Sequence, residues 1–324
     1  MELLLEGLRG AAEPTRLRLL AVLAQSELTV SELTQISGLS QPRISRHLKL
    51  MCAAGLIDRF KEGAWVFYRL ADQGEGGKLA QTLVSLLDAH DPELARDFVR
   101  LTDIRAARAQ EAEEYFRRNA TQWDEIRSLY VSESDVERAL RDMVNVGDSK
   151  SNKHIGTFVD FGTGTGRIIE ILGPYADVNL GLDVNREMLA IARTNLERSE
   201  LTNWQIRQGD ILAVPLADES ADLVTVHQVL HYLSEPERVI SEAARILKPE
   251  GRLLIVDFAP HDLEFLRAEH AHRRLGFAKD EVASWCRSAG LKLVETRELP
   301  PSQRGSGEKL TVVLWLAQKQ GGKQ

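Results

Sequence analysis

Asp160-Phe161-Gly162-Thr163-Gly164-Thr165-Gly166 ends a short apolar run, Ile155 to Phe161, and precedes a helical stretch from about Arg167 to Leu172. Glycines at that spacing let a ligand lie against bare backbone, since no Cβ intrudes and the N–H groups opening the helix face it. Seventeen residues beyond Gly166, Leu180-Gly181-Leu182-Asp183 ends a second strand with an acid suited to both hydroxyls of a ribose. Together these features specify an adenosine-bearing ligand. Gln208-Gly209-Asp210 closes a third strand, Trp204 to Arg207, where an adenine contact is expected. His227 and His231 stand four apart, on one face if a helix begins there, and Asp257 and His261 follow a later strand. These imidazoles offer a general base near neutral pH, and each also suits a structural or pocket-lining role. His270 and His272 fall within Phe258 to Phe277, an insertion placed to form an acceptor lid.

A second chemistry lies nearer the start. Ser40 to Lys61 holds Arg43, Arg46, Lys49, Arg59 and Lys61 against Asp58 alone, an excess that a phosphate backbone attracts, although a solvated face would carry the same charges. The elements around it are legible. Glu13-Pro14-Thr15 opens a helix whose Leu17, Leu20, Leu23 and Ala24 share one stripe. Another short helix runs from about Ser31 to Ile36, Gly38-Leu39 makes a turn, and Ser40 is placed to cap a helix with Ile44, Leu48 and Met51 inward. Leu56–Phe60 and Trp65–Leu70 flank the turn residues Lys61-Glu62-Gly63-Ala64 as a β-hairpin. Helix, turn, basic helix and hairpin make a winged helix-turn-helix, whose second helix enters the major groove. Gln41, Arg43, Ser45, Arg46 and His47 are its candidate DNA contacts, with Lys61 on the wing. The same unit used only for dimerisation is the alternative.

At 324 residues the chain is long enough for more than one domain, and 43% hydrophobic with 27% charged residues excludes a disordered or fibrous chain. Three parts are expected: a winged-helix domain over 1–73, a helical connector over 74–150 and a cofactor domain over 151–324. The net charge of −7 belongs to the later parts, since residues 1–73 carry nine Lys/Arg against eight Asp/Glu. In the connector, Leu79, Leu83, Leu86 and Leu87 predict a helix from Leu79 to Leu101 able to pair two copies. Val146 to Lys153 then breaks the chain. Cys52 and Cys286 are too few for a disulfide framework, and the opening Glu2 and Glu6 are unlike a basic signal peptide, so a reducing cytoplasm is expected. The longest apolar stretch, Leu310 to Ala317, is too short for a membrane span.

Residues 8–72 resemble the ArsR-type family of dimeric winged-helix regulators. Glu13-Pro14-Thr15-Arg16-Leu17, Gly38-Leu39-Ser40-Gln41-Pro42, Ser45-Arg46-His47-Leu48 and Ala54-Gly55-Leu56 stand where that family has them, as does the wing Gly63-Ala64-Trp65. Its metal-sensing box Glu-Leu-Cys-Val-Cys-Asp-Leu reads Glu27-Leu28-Thr29-Val30-Ser31-Glu32-Leu33 here. Hydroxyls replace both thiolates and are poor ligands for soft metals, so no metal is expected. Asp88 and His90 resemble another metal position of the family, in a pattern common by chance.

Residues 155–318 resemble class I S-adenosylmethionine-dependent methyltransferases of the small-molecule type, through the glycine loop, Ser220 to Leu233 and Ala244 to Asp257. The resemblance implies a Rossmann-like, seven-stranded α/β fold. It assigns Asp160, Gly162, Gly164 and Gly166 to the methionine end of the cofactor, Asp183 to ribose, Asp210 and Ile211 to adenine, and His227 to the edge beside the sulfonium. Lys248-Pro249-Glu250-Gly251 departs from the usual Lys-Pro-Gly-Gly at an exposed turn. Tyr115 to Ala120 with Trp123-Asp124 looks like the helix preceding many such cores, over the cofactor pocket. The multidomain fold thus implies a homodimeric regulator of an operator in double-stranded DNA. Its second domain senses S-adenosylmethionine or S-adenosylhomocysteine, or methylates a small molecule. The alternative is a methyltransferase of a quinone-like or other organic acceptor with an accessory winged helix. Arsenic methylation is disfavoured, because it needs several adjacent thiols.

Overall fold

A computed structural model describes residues 2–62, 65–71, 74–88, 90–127, 132–146, 154–199, 201–270, 272–301 and 310–321, with backbone alone at 62, 65, 109, 111–127 and 269. The chain divides into two compact units, Met1–Glu111 and Ala112–Gln324.

The first unit opens with α1 (Glu2–Ala11), then α2 (Pro14–Leu23), β1 (Leu28–Thr29), α3 (Val30–Ser37), α4 (Gln41–Ala53), β2 (Ile57–Glu62), β3 (Trp65–Leu70) and α5 (Gly74–Ser85). The Glu13 side chain accepts from the Arg16 N–H at the start of α2, and a reciprocal Thr29–Glu32 capping box starts α3. Gly38, at φ +69°, ends α3. Ile44, Leu48 and Met51 are fully buried, as the i, i+4, i+7 spacing predicts. Ser40 precedes α4 without a side-chain cap bond; Pro42 starts that helix instead. β1, β3 and β2 form an antiparallel sheet in that order, so the expected hairpin stands; of its expected turn residues, Lys61 and Glu62 pair within β2 instead, and Gly63 and Ala64 lie outside the described residues.

Two helices depart from the sequence reading. The helix expected from Leu79 to Leu101 is broken: α5 stops at Ser85, and α6 (Pro92–Arg127) starts where proline can open a helix but not continue one. The Asp91 carboxylate accepts from the N–H groups of Glu93 and Leu94 there. α1 is new. It buries Gly7, Gly10 and Ala11, while Leu3, Leu4, Leu5 and Leu8 remain 41–65% exposed. A Cβ on Gly10 would come within 2.4 Å of the Ala54 Cβ, so the small face is what lets α1 lie close on its neighbours.

The second unit contains α7 (Glu133–Val144), β4 (Ile155–Phe161), α8 (Arg167–Leu172), β5 (Ala176–Asp183), α9 (Arg186–Arg198), β6 (Trp204–Gln208), β7 (Ala221–His227), α10 (Pro236–Ile246), β8 (Leu247–Phe258), α11 (Phe265–His270), α12 (Lys279–Ser288), β9 (Leu291–Leu299) and β10 (Val312–Lys319). Its seven-stranded sheet runs β6-β5-β4-β7-β8-β10-β9, with only β10 antiparallel to its neighbours. Leu253 to Phe258 is buried throughout because helices cover both faces, which is why such strands read as unbroken apolar runs. Strand order reverses between β4 and β7, and an open parallel sheet takes its ligand at the carboxyl ends beside that switch. α5 belongs to the first unit and α7 to the second, so the segment expected as a connector is shared between them. Val146 is described; 147–153 lie outside, as do the side chains of Tyr115 to Asp124.

Candidate functional site

The carboxyl edge of β4, β5 and β7 opens into a cavity of about 740 Å³. Its floor is the loop after β4, in which Gly162, Gly164 and Gly166 all hold positive φ, at 69°, 51° and 81°. A Cβ on Gly162 would lie 2.4 Å from Val229, so no larger residue fits without displacing the β7 edge. The loop is fixed from below. The N–H groups of Gly162 and Thr163 donate to the Leu182 carbonyl at 2.8 and 2.9 Å, and Asn195 Nδ2 donates to the Thr165 carbonyl at 3.0 Å.

Asp183 stands across that loop. Its Oδ2 accepts from the Gly164 N–H at 2.9 Å and its Oδ1 from the Asn185 N–H at 2.8 Å, so both carboxylate edges are oriented and further lone pairs remain for a diol. Asn185 in turn caps α9, which brings Met188 to the wall 3.6 Å from where a Gly164 Cβ would stand. Gly162, Gly164, Asp183, Asp210, Ile211 and His227 all line the cavity. Asp160 and Gly166 do not. Asp160 is sealed beneath the loop, where its Oδ1 accepts from the Thr225 hydroxyl, and burial pushes its carboxyl up to about 7. It is held to Thr225 of β7, one strand over, behind the cavity lining. α7 supplies an unanticipated wall, including Glu137, whose carboxylate holds Arg167.

The other end of the cavity is ringed by imidazoles. His227 ends β7, and Gln228 then turns at φ +54°, so His227 and His231 are not on one helical face. His231 belongs to a 3₁₀ turn, Leu230–Tyr232, and is 2% exposed. Its Nδ1 meets Asp257 Oδ1 at 2.8 Å, and its own N–H donates to Asp257 Oδ2 at 3.3 Å. A buried carboxylate in that place accepts a hydrogen bond from Nδ1–H, which leaves Nε2 as the basic nitrogen. The His272 ring stacks on His231 with centroids 4.1 Å apart, and its Nδ1 is buried without a hydrogen-bond partner. Burial lowers His227 to about 4 and His272 to about 3, and both stay neutral at pH 7. His261 is likewise lowered by burial, and neither it nor His270 lines the cavity. Sequence spacing could not pair His231 with Asp257, which lie 26 residues apart on adjoining elements.

In the first unit, α4 turns Gln41, Arg43, Ser45 and Arg46 to solvent, and Lys61 is exposed on β2. His47 is different: it is largely covered, with Nδ1 3.7 Å from the Glu13 carboxylate, and so joins α4 to the cap of α2. Hydrogen bonds from Thr15 and Arg16 outweigh the burial of Glu13 and hold its carboxyl below the usual range. Asp88 and His90 sit in the break before α6, where the Asp88 carboxylate accepts the His90 N–H. Among the described residues no group of three His, Cys, Asp or Glu side chains is placed to hold a metal ion, and no helix is long and apolar enough to cross a membrane.

Residues 13–59 match the bacterial regulatory protein, arsR family, and residues 159–255 match a methyltransferase domain. The chain therefore joins an ArsR-type helix-turn-helix to a methyltransferase domain. It is 32% identical over 105 residues to the uncharacterized methyltransferase YcgJ of Bacillus subtilis, covering 32% of this chain and 42% of that one. It is 34% identical over 105 residues to an arsenite methyltransferase of Halobacterium salinarum, covering 31% and 27%. A ubiquinone/menaquinone biosynthesis C-methyltransferase, UbiE of Stutzerimonas stutzeri, is 28% identical over 190 residues, covering 57% and 72%. The chain thus spans less than half the length of the first two relatives.

Proposed function

We propose that this union of an ArsR-type helix-turn-helix with a methyltransferase domain is a homodimeric, DNA-binding transcriptional regulator whose second unit binds S-adenosylmethionine or S-adenosylhomocysteine and biases operator affinity. The observation that carries it is a glycine-floored cavity with an oriented Asp183, in one chain with an outward basic helix. Gly162 and Gly164 receive the methionine end on bare backbone, Asp183 takes the ribose hydroxyls, and Asp210 and Ile211 flank adenine. Gln41, Arg43, Ser45 and Arg46 face the major groove, with Lys61 on the wing beside the phosphates. Two copies meet through α1, whose Leu3, Leu4, Leu5 and Leu8 are all exposed. The protein works in the cytoplasm.

For a ligand to act as effector it must bind the DNA-competent state more tightly than the other, a coupling of about 1 to 3 kcal/mol. Fluorescence anisotropy of the full chain on its own upstream DNA, at fixed salt and titrated with each ligand, tests this. A several-fold shift in Kd, abolished by Asp183→Ala, is expected; tight DNA binding that ignores both ligands overturns the sensor.

One observation favours turnover as well: His231 at the cavity wall, with the buried Asp257 on its Nδ1, is more than a sensor requires. S-adenosylmethionine, when bound, supplies an electrophilic methyl on a sulfonium, so the chain has only to place an acceptor and accept its proton. A small organic acceptor fits better than arsenite. The chain has two cysteines, Cys286 is buried on α12 with its thiol raised to about 11, Cys52 is on α4, and neither reaches the cavity.

A further inference from the structure

We propose that His231, oriented by Asp257, is the general base of an O-methylation, taking the proton of a hydroxyl on a planar, uncharged ring held beside Tyr232 and His272. The inference rests on the reading of the cavity as a site for S-adenosylmethionine.

Three imidazoles, those of His227, His231 and His272, line the acceptor end, and only one is equipped to gain a proton. His227 and His272 are desolvated and held neutral. His231 alone has a carboxylate on its far nitrogen, which fixes the tautomer and receives the charge of the imidazolium that forms. Asp257 is itself held, since it also accepts the N–H groups of His231 and Phe258. No hydrogen bond joins His231 Nε2 to any described residue, and the ring lines the cavity.

The walls select the acceptor. Tyr232 and Phe258 join the imidazoles there, and Tyr232, 42% exposed, stands edge-on to His272. Rings of this kind hold a flat ring by stacking and edge contacts. The unpartnered Nδ1 of His272, buried and on a neutral ring, asks for one polar atom of the ligand. Of the carboxylates on the α7 and α8 wall, Glu137 and Glu170 both accept from Arg167 and Glu133 is likewise engaged, while Asp257 does not line the cavity and is fully buried. A thiol ionises near neutral pH unaided, whereas a phenolic hydroxyl with a pKa of about 10 needs a base. In the step, the hydroxyl proton passes to His231 Nε2. The oxygen lone pair forms the new O–CH₃ bond as the S–CH₃ bond breaks, and that bonding pair stays on sulfur.

The test uses 4-nitrocatechol, whose absorbance separates neutral phenol from phenolate, added to the full chain with S-adenosylhomocysteine at a pH where the free dye is neutral. The wild type is expected to shift the bound dye to its anion spectrum. His231→Gln should bind the dye yet leave it neutral, and Asp257→Asn should cut the anion fraction sharply while Asp257→Glu partly restores it. With S-adenosylmethionine and plain catechol, His231→Gln should lower kcat by about 100-fold or more. For 4-nitrocatechol already ionised at higher pH the same variant should lose little, a contrast that misfolding cannot produce. If calorimetry finds no S-adenosylhomocysteine bound to the wild type, the cavity reading itself fails. If it binds and the dye stays neutral or stays out, the base and acceptor class are overturned while the cavity reading stands. Equal losses for catechol and ionised nitrocatechol would overturn the role of His231.

Discussion

Asp160 and Asp257 are both sealed within the same sheet, and their neighbours make them different residues. Asp257 accepts three N–H bonds. Asp160 has the Thr225 hydroxyl against a full desolvation cost, which raises it to about 7. Folded Asp160 therefore keeps its proton where the unfolded chain, with an ordinary aspartate near 4, has lost it. The folded state binds the extra proton between those values, so stability falls as pH rises through that window. Asp160→Asn keeps an acceptor for Thr225 and does not titrate; its stability relative to wild type should grow by about 2 kcal/mol between about pH 5.5 and 8. Thermal melts across pH check this, and a difference independent of pH would sink it. Glu250 offers a second case. It holds φ +65° within β8, at an exposed irregularity where the pairing with β7 slips, and not in the turn expected from sequence; that conformation costs a non-glycine residue about 1 kcal/mol. Its carboxylate accepts from Gln318 Nε2 at 2.9 Å and the Gly321 N–H at 3.1 Å, both exposed. Glu250→Gly should raise the denaturation midpoint, by about 0.5 kcal/mol in net stability, while Glu250→Ala, which keeps the strain and loses the bonds, should lower it.

At the scale of elements, the sequence was readable wherever one face of a helix or strand meets the core. Ile44, Leu48 and Met51 mark the inward stripe of α4, and Leu253 to Phe258 reads as a buried strand, because burial imposes its period on the chain. α1 escaped for the opposite reason. Its leucines face out and its glycines face in, so the usual pattern is inverted. The break before α6 had a local signal, Asp91-Pro92, overridden by a leucine repeat that continues across it. Asp160 was legible as the acid that opens the glycine loop, yet its side chain is claimed by Thr225 from another strand, a contact no local spacing reports. His231 and Asp257 are non-local in the same way. On α4 the structure separates two residues that spacing grouped: Arg46 is free in solvent and His47 is tied to Glu13. Arg46→Ala should weaken operator binding and reduce the salt slope by about 1, leaving the melting temperature unchanged. His47→Ala should act instead through the α2–α4 junction, lowering stability more than the salt slope. Anisotropy across a salt series, with melts, distinguishes them; equal salt slopes for Arg46→Ala and wild type would remove Arg46 from the interface.

Across the whole molecule, the chain is acidic, at net −7, yet α4 presents Arg43 and Arg46 to solvent, so attraction to DNA is concentrated on that helix. One such helix covers one half-site. A dimer spans two, set about 34 Å apart along one turn of the duplex, and this gives α1 its importance. Leu4 and Leu8, four apart on the outward face, are 47% and 41% exposed, so replacing them costs the folded protomer little. In the proposed dimer the same side chains would be the buried surface, where two charges per copy would lie without partners. Leu4→Glu combined with Leu8→Glu should therefore halve the mass seen by sedimentation and make the melting temperature independent of protein concentration, while leaving the affinity for S-adenosylhomocysteine close to wild type. Operator binding should fall about 100-fold or more, since each copy then keeps only its own half of the contacts. A variant that stays dimeric would move the pairing surface away from α1. A variant that becomes monomeric yet binds its operator as before would mean that one winged helix suffices for recognition, and the two-fold reading of the operator would fall with it.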